Sequence, residues 1–203
     1  MKFASLSMIR RGLSLLVALS PLGCLTSPVQ AKPEVFSETI SLEEVKAAQD
    51  TWCAALVTIS ETHSKGGLAE SKPLAEEVIA SAYGYNLGPV AFKPTWTRGD
   101  TTFRYTADGA LSYFVGGDAT YDDPGFAIGT PEGENPRSPW VKCEAETSVV
   151  QLFGNTATSM GWVYFEAEDG TKSMVDKTWG YVKDDDGNLR IVLHHSSTPF
   201  AGF

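Results

Sequence analysis

The chain has 203 residues, 42% of them hydrophobic and 20% charged, and a formal net charge of −9. That length suits one domain with extensions, and the ordinary composition excludes a disordered or low-complexity protein. An acidic surface repels phosphate backbones and anionic headgroups, which argues against nucleic acid or membrane as a partner.

The first residues read as an export signal. Lys2, Arg10 and Arg11 are basic, Leu13 to Leu19 is apolar, and Val29-Gln30-Ala31 is a small-x-small cleavage pattern. A signal peptide is expected over residues 1–31, an extension over 32–40 and one domain over 41–203. The apolar run is too short to span a bilayer, and Pro21 sits badly in a lipoprotein box ending at Cys24. Cleavage removes three basic and no acidic residues, taking the charge from −9 to −12. The expected location is the periplasm. Cys53 and Cys143 then remain, and an oxidising compartment permits a bridge. Two thiols of unknown separation do not establish one, and buried free cysteines are the alternative.

Ser41-Leu42-Glu43-Glu44 has the form of a capping box. It opens a helix to about Thr62, with Val45, Ala48, Trp52, Ala55, Leu56 and Ile59 on one stripe. Gly66-Gly67 stops it, and a shorter helix is expected from Pro73 to Tyr83. Val90–Thr95 reads as a short strand and Thr106–Phe114 as a short helix. Asp118–Arg137 is rich in Gly, Pro and Asp and reads as loop, with a short strand at Phe126–Ile128 and an inserted turn at Pro131–Pro139. Four long strands follow, at Val141–Phe153, Ser159–Ala167, Ser173–Lys183 and Leu189–Ser197. Gly-Asn, Glu-Asp-Gly and Asp-run turns separate them. The Asp184–Asn188 turn lacks calcium-loop spacing and reads as solvated.

Helices segregated from a meander of strands make an α+β domain. A curved antiparallel sheet packed as a cone on the N-terminal helices leaves a pocket between helix and sheet.

The last strand ends in His194-His195-Ser196-Ser197, which holds two of the three histidines. Strand alternation groups Ile191, Leu193, His195 and Ser197 on one face. That face is the more apolar, so His195 and Ser197 are expected inward and His194 outward. A polar pair placed inward must be hydrogen-bonded or line a cavity. His63 ends a helix without a motif around it and carries no expected role.

Phe92-Lys-Pro-Thr95, Ala110-Leu-Ser-Tyr-Phe-Val-Gly-Gly117 and His194-His-Ser-Ser197, in that order, resemble the iota-class carbonic anhydrases. The terminal hairpin resembles the association-domain branch of the nuclear-transport-factor-like cone fold. The likeness covers about Leu42 to Phe200 and departs at Leu193, where family members often carry a third histidine. It implies reversible hydration of carbon dioxide to bicarbonate, with Thr95, Tyr113, His195 and Ser197 as site residues. Tyr113 and His195 would hold and polarise the water, one of them taking its proton. Thr95 and Ser197 would place carbon dioxide and stabilise bicarbonate. Zinc hydration sites use three protein ligands and a water. Leu193 removes one ligand and the adjacent histidines diverge, so the expected cofactor is none, with zinc or manganese disfavoured. A homodimer through the sheet is expected. The rival reading is a non-catalytic ligand-binding or oligomerisation module of the same fold.

Overall fold

A computed structural model describes residues 39–131 and 136–200. The signal-peptide and Cys24 readings lie outside these residues. Helix α1 spans Leu42–Ala82 and opens on the expected cap. The Glu44 N–H donates to Ser41 Oγ at 3.2 Å, and the Ser41 N–H donates to Glu44 Oε2 at 2.8 Å. Val45, Trp52, Cys53, Leu56 and Ile59 are buried along one stripe, the spacing that lays one helix face on a core.

Gly67 interrupts the helix at φ 64° and ψ −159°, a conformation that glycine adopts without steric cost. Helical structure resumes directly after it. Pro73 therefore lies inside the second segment, not at its start. A proline there forfeits one backbone hydrogen bond, and burial of Ala75 and Ile79 offsets the loss.

Strand β1 (Ala91–Lys93) and helix α2 (Ala107–Val115) follow, with short 3₁₀ turns at Gly84–Asn86 and Gly99–Thr101. The Thr106 hydroxyl caps α2 by accepting from the Gly109 N–H at 3.2 Å. Ala110, Tyr113, Phe114 and Val115 are all buried, so this helix is enclosed on most sides. Phe126–Ile128 is not a strand. The Phe126 and Ala127 N–H groups instead donate to the Tyr113 and Phe114 carbonyls, satisfying the open end of α2.

The long strands are β2 (Trp140–Phe153), β3 (Thr156–Ala167), β4 (Lys172–Lys183) and β5 (Leu189–Ser197). The sheet order is β1-β5-β4-β3-β2. Three pairings are antiparallel, and β1 adds to β5 in parallel. The long connection between β1 and β5 makes a parallel pair possible, where a tight hairpin would not. The sheet is thus mixed within the expected α+β class. Gly161 meets a bulge in β2, where any Cβ would stand 2.1 Å from the Glu146 carbonyl oxygen. The core lies between the helices and one face of the sheet and is dense with Trp52, Tyr83, Phe92, Phe114, Phe126 and Trp179.

Cys53 and Cys143 are bonded and tie α1 to β2 across 90 residues of sequence. A loop that long loses much chain entropy when closed, worth about 2–5 kcal/mol of stability in the chain-entropy account. Replacing both cysteines by alanine should lower the unfolding free energy by that amount in urea titrations. Equal midpoints with equal slopes would show that the bridge adds nothing.

Candidate functional site

The site is set by a one-residue irregularity in β5. Gly180 pairs with Leu193, but the next β4 residue, Tyr181, pairs with Ile191. Val192 is therefore an extra residue, a β-bulge, and it shifts the alternation beyond it by one. Ile191 faces the core, and after the bulge the inward residues are His194 and Ser196. His195 is exposed, and Ser197 donates to the Asp176 carboxylate at 2.8 Å on the other face. The expectation that His195 and Ser197 point inward is corrected: strict alternation fails at the bulge.

His194 is fully buried. Phe92, its partner across the β1–β5 pair, stacks on it at 4.5 Å. Trp179 stands opposite it on β4, and Trp52 meets it edge-on at 5.6 Å. Both imidazole nitrogens are engaged. Tyr83 Oη lies 2.8 Å from Nδ1, and Lys177 Nζ lies 2.8 Å from Nε2. The Trp52 indole donates to Tyr83 Oη at 3.0 Å, so α1 steadies the far end of this chain.

Lys177 is 2% exposed and sits opposite Ser196. Its Nζ lies 4.2 Å from the Trp52 ring centroid. Thr95 Oγ1 donates to Ser196 Oγ at 2.7 Å, which leaves the Ser196 proton to donate elsewhere. Lys93 Nζ holds the Ser196 carbonyl at 3.0 Å. Tyr113 is buried on α2, stacked on Phe126 at 5.5 Å and edge-on to Phe92. The Trp179 indole N–H is buried without a hydrogen-bond partner. Such an orphan donor costs about 1–3 kcal/mol unless a ligand oxygen meets it.

Burial governs the charges. It lowers the Lys177 amine well below the usual lysine range, although Asp176 pulls it back up. Burial also lowers the His194 imidazole well below its usual range, and Lys177 adds to this. Burial raises the Tyr113 phenol, while hydrogen bonding to Thr95 holds it back. Tyr83 is raised well above its usual range, again by burial. At neutral pH this region offers hydroxyl donors and weakly basic nitrogens in an aromatic enclosure.

The lysine sets a stability window. Its folded pKa is depressed, so the unfolded chain binds more protons above that pKa, up to the ordinary lysine value of about 10.4. Stability contributed by this group therefore rises with pH through that interval and is lost as pH falls. Urea unfolding between about pH 8 and 10 should show a wild-type rise that Lys177→Met flattens. A parallel slope in both proteins would contradict a lowered Lys177 titration.

Thr95 also lines an open cleft of about 970 Å³, with Trp96, Arg98, Arg104 and Asp123 among its walls. It therefore stands between the cleft and the buried residues Ser196 and His194. Arg104 Nη2 pairs with Asp123 Oδ1 at 2.8 Å, both side chains enclosed, and Ser112 Oγ donates to Asp123 Oδ2 at 2.7 Å. This cluster pins the 120s loop to α2. His63 lies in the cleft wall with Nδ1 3.1 Å from Ser71 Oγ. Among the described residues no group of three or more His, Cys, Asp or Glu is placed to hold a metal ion.

A family described as metal-independent carbonic anhydrase matches residues 43–198. The chain belongs to that family. It is a carbonic anhydrase of the metal-independent kind, an α+β enzyme with no metal cofactor. A metal-independent carbonic anhydrase of Nostoc sp. (strain PCC 7120) is 45% identical over 177 residues, covering 87% of this chain and 82% of the relative. The crystal structure of a cyanobacterial iota-carbonic anhydrase complexed with bicarbonate is 46% identical. It covers 85% of this chain and 100% of its own, with a TM-score of 0.77. A calcium/calmodulin-dependent protein kinase II association domain from Xanthomonas campestris shares the fold at TM-score 0.52 and 22% identity, covering 80% of this chain and 91% of its own.

The structure brings Thr95 against Ser196 and places Tyr113 in the same aromatic enclosure; it does not bring His195 or Ser197 there. The buried chain also contains Lys177, Tyr83, His194 and Ser196, which the sequence did not single out as inward-facing. Lys177 had a signal: it shares strand parity with Val175, Trp179 and Tyr181, so a lysine stood in an apolar row.

Proposed function

We propose that the enzyme hydrates carbon dioxide inside the aromatic chamber around His194, with Thr95, Ser196 and Tyr113 as oxygen-binding groups. The Thr95–Ser196 hydrogen bond carries this reading, because it leaves the Ser196 hydroxyl proton free between an open cleft and a buried polar chain. Phe92, Phe126 and Trp52 supply apolar walls suited to a gas and hostile to bulk water. A held water attacks the carbon of carbon dioxide. The new carbon–oxygen bond pushes one pair onto a carbonyl oxygen, which Ser196, Tyr113 and the spare Trp179 N–H stabilise as it becomes anionic. The proton leaves water for the buried Lys177–His194 nitrogen pair, and bicarbonate departs past Thr95.

His195 and Ser197 have no part in this arrangement. Ser196→Ala should lower kcat/KM for hydration by about 10²-fold, the scale of one lost oxyanion donor, and Thr95→Val should also lower it by releasing the Ser196 hydroxyl that Thr95 holds. Stopped-flow assays with undiminished rates in both would remove the assignment.

The N-terminal pattern and the Cys53–Cys143 bond support export to the periplasm. Val149, Leu152, Phe153, Met160, Tyr164 and Met174 are exposed on β2, β3 and β4, which supports a homodimer through the sheet. Analytical ultracentrifugation should give twice the chain mass; a monomer at micromolar concentration would refute it.

A further inference from the structure

The proposed chemistry needs a base, and the hydrogen bonds at His194 do not leave the imidazole free to be one. Nδ1 faces Tyr83 and Nε2 faces Lys177, so neither ring nitrogen has an open approach for a water. A neutral histidine carries one proton and one lone pair. If Nδ1–H donates to Tyr83, then Nε2 accepts from Lys177. In that arrangement the Lys177 amine spends one N–H on the ring and keeps its lone pair for another donor.

We propose that Lys177 is the catalytic base: its amine takes the proton from the attacking water, and His194, Tyr83 and Trp52 form a positioning chain that aims it. This rests on the chamber assignment above and sharpens it. The step balances. Water loses a proton to the amine as its oxygen bonds to the carbon of carbon dioxide, giving bicarbonate and a lysine ammonium. The ammonium is then met by the Trp52 π face at 4.2 Å. Reset requires the proton to leave, and Ser196 stands opposite Lys177 on the route to Thr95 and the cleft.

The location suits the task. Lys177 is buried, stands opposite Ser196 and lies 5.9 Å from the Phe126 ring that stacks on Tyr113. Desolvation favours the neutral amine, as in other enzymes that use a buried lysine nitrogen at neutral pH. The titratable groups around the pair come from every neighbouring element. They are Tyr83 just past the end of α1, Tyr113 from α2, Lys93 from β1, Asp176 beside it on β4, and His195 on β5. Asp176 is turned to the other face, bound by Ser197, so its charge does not form a direct pair with the amine.

The test is the pH dependence of kcat for hydration in the full chain, by stopped flow, for wild type, Lys177→Met and Lys177→Arg. Wild type should gain rate with rising pH through the titration of the amine. Lys177→Met should lose about 10²-fold or more at the plateau, the usual range for a lost general base. Lys177→Arg keeps a cation that never deprotonates and should be inactive at every pH while folded. Retention of the wild-type rate and acid limb in either variant overturns the proposal. In ¹⁵N-labelled wild type the Lys177 amine should titrate at the pH where the rate rises. An amine titrating in the ordinary lysine range overturns it even if both variants fail to fold. Failure here with Thr95→Val and Ser196→Ala still impaired would leave the chamber reading standing. Full activity in all four variants would remove both.

Discussion

His194→Gln should lower carbon dioxide hydration by about 10²-fold or more, and His195→Ala should leave it within about twofold. The two residues are adjacent, and their fates differ because of Val192. The bulge turns His194 into the enclosure, where it holds Tyr83 and Lys177, and turns His195 to solvent. Glutamine offers an amide NH2 donor group and a carbonyl acceptor but not at the imidazole spacing, so the positioning chain breaks while the volume is roughly kept. Rates should be compared at matched circular dichroism and melting temperature. Loss in His195→Ala with a spared His194→Gln would restore simple alternation and remove the chamber.

Asp123→Ala should destabilise the fold by about 3–5 kcal/mol, because it strands a buried guanidinium. Arg104 is 1% exposed, and Asp123 supplies its carboxylate partner among the described residues while accepting from Ser112 on α2. The Arg104 guanidinium also lies 4.5 Å over the Tyr121 ring, so the charge cannot swing to water without unpacking the loop. A melting temperature lower by roughly 10 °C is expected for a domain of this size. A change under about 1 kcal/mol would show that the pair is solvated in solution. Since Thr95 and Asp123 line the same cleft, activity should fall with the melted fraction rather than ahead of it.

Local chemistry made much of this fold readable. The Ser41 cap, the stripe from Val45 to Ile59, the Thr106–Phe114 helix and all four long strands follow from capping, periodicity and turn residues. The boundaries of β5 coincide with those expected. Four features were not readable, each for a physical reason. The extra residue in β5 falls within Ile191-Val192-Leu193, where every choice is apolar and no residue type marks the slip. That single residue exchanged the inward pair. The second helical segment begins before Pro73 because burial outweighs a lost hydrogen bond, which local propensity does not register. The parallel edge pairing and the Cys53–Cys143 bond depend on distances fixed by the whole fold. The proposed site was half legible. Thr95 and Tyr113 entered through resemblance to a known family, while Lys177 was overlooked because a lysine in a strand usually marks the solvent face.

The central claim is that buried groups of the chain itself hydrate carbon dioxide. The most direct measurement is ¹⁸O exchange between carbon dioxide and water, catalysed by chelator-treated wild-type protein of verified metal content. The account predicts exchange at the full rate with metal far below one equivalent, unchanged on adding zinc or manganese. Exchange that vanishes on chelation and returns in proportion to added metal would contradict it.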